Sequence, residues 1–196
     1  MYQDIVVKNK GKVTMYFFTA DEHYNHSKII GYCNRPFDNV TEMNEELIKR
    51  HNEVVGENDI TVHCGDFYLG PKLLVYDIIE QLNGQHIFLK GSHDHWLGPN
   101  NPTMWDKRKL GHNIVACHYA MRTWPRKHYG SWHVYGHSHG NLESYGLSWD
   151  VGVDNNDFYP VSIEQLAVIM EERANETWCQ KMIDRFLRYF NGRARE

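Results

Sequence analysis

Five short clusters hold the residues of this 196-residue chain best suited to chemistry: Asp21-Glu22-His23, Gly65-Asp66, Gly91-Ser92-His93-Asp94, His118, and Gly136-His137-Ser138-His139-Gly140. Histidine is abundant, 13 residues beside 4 cysteines, so imidazole and carboxylate, not thiolate, are the available metal ligands. Neutral imidazole is the commonest protein metal ligand. Mixed with carboxylate, it suits manganese, iron, zinc or nickel, whereas the sulfur-rich closed site of structural zinc is absent. A carboxylate can also bridge two ions, and a pair of ions about 3.5–4 Å apart can clamp a phosphate and stabilise its attacking and leaving oxygens. In an extended segment, residues two apart point the same way. On that basis Asp21 and His23 reach one ion together, and His137 and His139 share a face. The flanking glycines let the backbone turn sharply enough for the clusters to converge.

Each cluster sits at or just after an expected strand. Residues 13–19 form a β-rich apolar run that opens onto Ala20-Asp21-Glu22-His23. Thr41, Glu42 and Glu45 ahead of Leu47 and Ile48 predict a capped helix to about Val55. A strand over 59–63 ends at Gly65-Asp66. Pro71 starts a helix whose apolar face is Leu73, Leu74, Ile78, Ile79 and Leu82, stopped by Asn83-Gly84. A strand over 85–89 leads to Gly91. Polar clusters at the carboxyl ends of alternating strands and helices are where open α/β sheets place their sites. Strands then follow at 113–117, 132–135 and 147–153 with loops between, and a helix at 161–172. A last helix, about 175–190, repeats Trp178, Met182, Phe186 and Phe190 every four residues. That stripe packs on the chain's own core or forms a homodimer surface. The expected organisation is one domain over 1–172 with the helix of 173–196 appended.

The order D-x-H, GD, a GNHD-like tetrapeptide, His, and G-H-x-H-G resembles the calcineurin-like metallophosphoesterase superfamily, over roughly residues 13–154. Asn34-Arg35-Pro36-Phe37 and the His23…His26 spacing further resemble its small bacterial and phage members. The resemblance implies a two-sheet αββα sandwich of the α/β class, with the metal site at the strand carboxyl ends. It implies two divalent ions, manganese foremost: Asp21, His23 and His139 on one, His118, His137 and Ser92 on the other, and Asp66 between them. It implies hydrolysis of a phosphoester, diester or monoester, by a hydroxide held between the ions, with His93 protonating the leaving oxygen. His26 and Arg35 are candidate phosphate contacts, and Asp94 supports the loop. Two positions depart from the superfamily pattern. Ser92 stands where asparagine is usual and offers a weaker oxygen ligand. Leu69 stands where an aspartate usually orients the histidine equivalent to His93.

A net charge of -4 gives no overall basic field to recommend nucleic acid. The segment Arg122-Thr123-Trp124-Pro125-Arg126-Lys127-His128-Tyr129 does interleave basic and aromatic residues. Such segments can hold backbone phosphate and stack bases. A small phosphoester is therefore the expected substrate and a nuclease the alternative. A catalytically weak binding module on the same fold is the further alternative. Cys64 and Cys117 read as small buried apolar residues. No secretory h-region and no apolar stretch of about 20 residues is present, so no membrane partner and a cytoplasmic location are expected.

Overall fold

A computed structural model describes residues 7–9, 12–176 and 182 of the chain. The strands β1 (Val7–Asn9) and β2 (Lys12–Thr14) pair as an antiparallel ribbon. Then follow β3 (Tyr16–Thr19), α1 (Ser27–Tyr32), α2 (Val40–Val54), β4 (Ile60–His63), α3 (Val75–Ile79) and β5 (Gln85–Phe88). The second half carries β6 (Met104–Leu110), β7 (His112–Cys117), β8 (Trp132–Tyr135), β9 (Ser148–Asp150) and β10 (Val161–Ser162), and a helix α4 spans 163–176.

Two four-stranded sheets result, in the orders β10-β3-β4-β5 and β6-β7-β8-β9. Strands β3, β4 and β5 run parallel, as do β7, β8 and β9, while β10 and β6 are antiparallel edge strands. The sheets share one apolar core. Phe18, Val62, Cys64 and Leu89 of the first interlock with Ile114, Ala116, Val134 and Val151 of the second, and α4 adds Ile163, Leu166 and Met170. A second cluster packs Met43 and Leu47 of α2 and Val75 and Ile78 of α3 with Phe67 and Trp96. The chain is thus a mixed α/β sandwich of two sheets with few helices, as expected.

Several boundaries differ from the sequence expectation. The cap of α2 is Asn39, whose side chain accepts from the N–H groups of Thr41 and Glu42, not Thr41 itself. Glu42 Oε2 accepts from the N–H of Asp38 at 2.8 Å. The helix expected from Pro71 is a 3₁₀ turn over Lys72–Leu74 and the short α3, and Leu73 and Leu74 are exposed. Strand β6 and helix α1 were not expected. The helix expected over 161–172 begins at 163 and is described through 176. The apolar stripe at 175–190 lies almost wholly outside the described residues. Cys64 and Cys117 are buried, as expected.

Candidate metal centre

The parallel strands deliver their carboxyl ends to one edge of the sandwich. Asp21 and His23 follow β3, Asp66 follows β4, Ser92 and His93 follow β5, His118 follows β7, and His137 and His139 follow β8. The loops are tied to one another: Asp21 N–H donates to the Gly65 carbonyl, His23 N–H to that of Asp66, and Gly136 N–H to that of His118. Convergence does not come from extended alternation. Asp21 (φ 58°), His23 (φ 54°), Asp66 (φ 57°), His137 (φ 70°) and His139 (φ 46°) all adopt the left-handed conformation. Such backbone costs on the order of 1–3 kcal/mol per residue and persists where the surrounding structure over-determines it, typically at functional sites. Two glycines allow the loops to close. A Cβ on Gly91 would lie 2.3 Å from Asp66 Oδ1, and one on Gly136 would lie 2.7 Å from Asp21 Oδ2.

Two groups of ligand atoms meet here: Asp21 with His23 and His139, and Asp66 with His118 and His137, each within 4.8 Å. His137 and His139 therefore divide between the groups instead of sharing one face. Asp66 Oδ2 lies between them, 3.2 Å from His118 Nε2, 3.8 Å from His23 Nε2 and 3.9 Å from His93 Nε2. Three of the atoms facing this space are buried with no hydrogen-bond partner: Asp21 Oδ1, His23 Nε2 and His118 Nε2. Their sister atoms are committed. Asp21 Oδ2 accepts from His137 N–H at 2.7 Å, and His118 Nδ1 pairs with the Cys64 carbonyl at 3.2 Å. Orphaned buried polar atoms are costly unless something fills the space between them. The donor set, two aspartates and four histidines, fits borderline divalent ions.

The electrostatics agree. Burial, then repulsion from Asp150 and Asp66, pushes Asp21 well above the usual carboxylate range. Asp66 goes the other way. Burial would raise it, but the His118 contact and bonds from His93 N–H and Ser92 more than offset this and hold it low. Burial lowers His23 to about 3, which keeps its ring neutral with a lone pair available.

Behind the ligands lies a layer of support that sequence reasoning saw only in part. Arg35 is 5% exposed. Its guanidinium grips both oxygens of Asp154 at 2.7 and 2.8 Å and donates to the carbonyls of Asp21 and Glu22. Asp154 in turn holds His139 Nδ1 at 2.7 Å. Arg35 thus braces these loops, and it is not among the residues that border the cleft. Asp94 supports its loop as expected. Fully buried, it accepts from the N–H groups of Asp66, Phe67 and Gly91 and from Trp96 Nε1. Asp150 accepts from Gly140 and Gly152, and was missed. Glu22 was assigned no role. It turns away from the cleft and meets His63 Nδ1 at 2.5 Å, and His63 Nε2 pairs with His86. Leu69 N–H donates to the Tyr24 carbonyl at 3.0 Å.

The front of the site is an open cleft of about 520 Å³ bordered by His26, Lys28, Tyr32, Ser92, His93 and Asn141 among others. His93 is half-exposed there, and its N–H donates to Asp66 Oδ1 at 2.8 Å. Ser92 Oγ donates to Asp66 Oδ2 at 2.9 Å, so the hydroxyl is already engaged with the shared carboxylate. The cations of the basic and aromatic segment are engaged within the protein. The Arg122 guanidinium lies 3.8 Å over the Tyr145 ring, Lys127 lies over Trp124 and Tyr145, and Arg126 pairs with Asp106. Among the described residues no helix is long and apolar enough to cross a membrane.

Fold and site together define a two-sheet α/β sandwich with a candidate divalent-metal centre at its strand ends. The chain belongs to the family of an uncharacterized protein from Methanocaldococcus jannaschii, with which it is 32% identical over 165 residues, 80% of this chain and 91% of that protein. No family model matches the chain. Among solved structures, a protein of unknown function from Aquifex aeolicus superposes with a TM-score of 0.63 at 19% identity, over 80% of this chain and 99% of that one. That likeness extends to the fold. A predicted phosphoesterase from Streptococcus pneumoniae superposes more weakly, with a TM-score of 0.38 at 15% identity over 64% of this chain and 63% of that one.

Proposed function

We propose that the chain is a metal-dependent phosphoesterase that hydrolyses small phosphodiesters or phosphomonoesters. The observation that carries this reading is the meeting of two groups of possible ligand atoms, Asp21 with His23 and His139 and Asp66 with His118 and His137, with Asp21 Oδ1 and His23 Nε2 buried and without hydrogen-bond partners. Asp21, His23 and His139 would hold one divalent ion, and His118 and His137 a second, with Asp66 shared. Bound divalent ions supply Lewis acidity, which polarises a phosphoryl oxygen and makes water acidic enough to give a nucleophile near neutral pH. The residues of the chain do the rest. The Arg35–Asp154–His139 series fixes the ring of His139, and Asp94 fixes the loops that carry Asp66 and His93. His93, on the open side of Asp66, is placed to give a proton to the departing oxygen, a role worth typically 10²–10⁴-fold in rate. Ser92 holds the orientation of the shared carboxylate. The engagement of Arg122, Arg126 and Lys127 within the protein favours a small ester over a nucleic-acid strand, which would have to displace those contacts.

The test is hydrolysis of bis(p-nitrophenyl) phosphate and p-nitrophenyl phosphate by metal-free protein supplied with Mn²⁺. Metal-dependent turnover is expected, abolished in Asp66→Ala and strongly reduced in His93→Ala with metal content intact. Bound metal without turnover of either ester would favour a binding module instead.

A further inference from the structure

Histidine 26 lies in front of His23. Their Nδ1 atoms are 3.2 Å apart and the ring centroids 5.1 Å apart. The contact is built into the backbone. His26 N–H donates to the His23 carbonyl at 3.0 Å, and His26 occupies the position just before α1. The far side of His26 borders the cleft, with its centroid 5.6 Å from that of His93 and 6.3 Å from that of Tyr32.

Two facing Nδ1 atoms at this distance can share only one proton, so one ring donates and the other accepts. The other nitrogen of His23, Nε2, is buried without a hydrogen-bond partner, 3.8 Å from Asp66 Oδ2. For Nε2 to ligate an ion it must carry a lone pair, which puts the ring's proton on Nδ1. A neutral imidazole has one N–H, and its position is set by the bond the other nitrogen makes. The proton between the rings therefore belongs to His23, and His26 accepts it. His26 then carries its own proton on Nε2, toward the cleft.

We infer that His26 is a positioning residue that fixes the ligating tautomer of His23 through Nδ1, and that the same contact makes its Nε2–H a donor to the phosphoester bound in the cleft. The inference rests on the metal reading above. Carboxylates and carbonyls are the usual partners for the free nitrogen of a ligating histidine. Here a second imidazole takes that place, and it links the metal ligand directly to the substrate side. A substrate drawn toward His26 Nε2 and an ion held by His23 would then each favour the same proton arrangement.

Two substitutions separate the roles. Asn places its Oδ1 close to where a histidine places Nδ1, so His26→Asn retains the acceptor for His23 and loses the Nε2–H; His26→Ala loses both. Metal-free wild type and both variants are titrated calorimetrically with Mn²⁺, and their folding is compared by circular dichroism. Removing the partner of a ligating histidine typically costs 10–100-fold in metal affinity. His26→Ala should show a loss on that order at the tighter site, whereas His26→Asn should stay within about threefold of wild type. Both should raise KM for bis(p-nitrophenyl) phosphate under saturating metal. In the Zn²⁺-loaded wild type, nitrogen-15 spectra should show His26 as the neutral Nε2–H tautomer. Unchanged metal affinity in His26→Ala, an equal loss in the two variants, or an Nδ1–H tautomer at His26 would each overturn the inference. Absence of metal binding by the wild type would instead defeat the reading on which it rests.

Discussion

Replacing Arg35 with alanine tests whether that side chain braces the site or contacts the substrate. Its guanidinium is buried, and its Nε, Nη1 and Nη2 all donate within the protein: to both oxygens of Asp154 and to the carbonyls of Asp21 and Glu22. Removing one partner of a buried ion pair costs about 3–5 kcal/mol, because the other charge is left uncompensated. Each orphaned carbonyl would add about 1–3 kcal/mol if nothing replaced its donor. Water entering the vacated space satisfies part of this, so a net loss of about 4 kcal/mol is expected. At roughly 2–4 °C per kcal/mol for a chain of this size, the melting temperature should fall by about 8–16 °C. Differential scanning calorimetry of the metal-free protein reads this directly. Without Arg35, Asp154 also holds His139 less firmly, so Mn²⁺ binding should weaken too. An Arg35→Ala variant with wild-type melting and metal affinity, but a raised KM for phosphoester, would refute the reasoning and restore the role expected from sequence.

Ser92→Asn should strengthen the second ion. It releases Asp66 Oδ2 from the serine hydroxyl and presents an amide oxygen, and a gain on the order of tenfold in Mn²⁺ affinity is expected by calorimetry; an unchanged or weakened second binding event would show that Ser92 is the better partner for this site. Acid should destabilise the fold well before most carboxylates titrate. Burial lowers His51 and His86 each to about 4, so between about pH 6.5 and 4 the unfolded chain binds more protons than the folded one, and stability falls as pH falls through that window. His51 alone accounts for about 3 kcal/mol. His51→Gln, which retains a donor for the Asn83 carbonyl bonded by His51 Nε2, should flatten the melting temperature between pH 7 and 4.5; an identical slope in variant and wild type would contradict this.

The candidate ligands stand out in the sequence because their residue types and order are distinctive, and because strands such as Ile60–His63 and Trp132–Tyr135 announce themselves by apolar, β-branched and aromatic content. How they converge was not legible. Nothing in D-E-H or H-S-H declares a left-handed backbone, since that conformation is imposed by loops hundreds of atoms apart along the chain. The bracing contacts of Arg35 were hidden for a related reason. A basic residue near a phosphate site suggests phosphate, and its actual partner, Asp154, lies 119 positions away. Asp154 is only 15 positions from His139, but no spacing rule pairs the two. Strand β6, with its Met-Trp-Asp-Lys-Arg-Lys-Leu sequence, gave no clean alternation because it is an edge strand with an irregular register against β7. Helix α1 has only six residues and includes Gly31, too short for a periodic signal.

The claim on which everything else depends is the pair of ions. Anomalous diffraction from crystals of the wild type soaked in Mn²⁺ measures it directly. Two anomalous peaks are expected, one among Asp21, His23 and His139 and one among Asp66, His118 and His137, with Asp66 reaching both. Saturated crystals with no peak at these residues, or with manganese bound only elsewhere, would contradict the account.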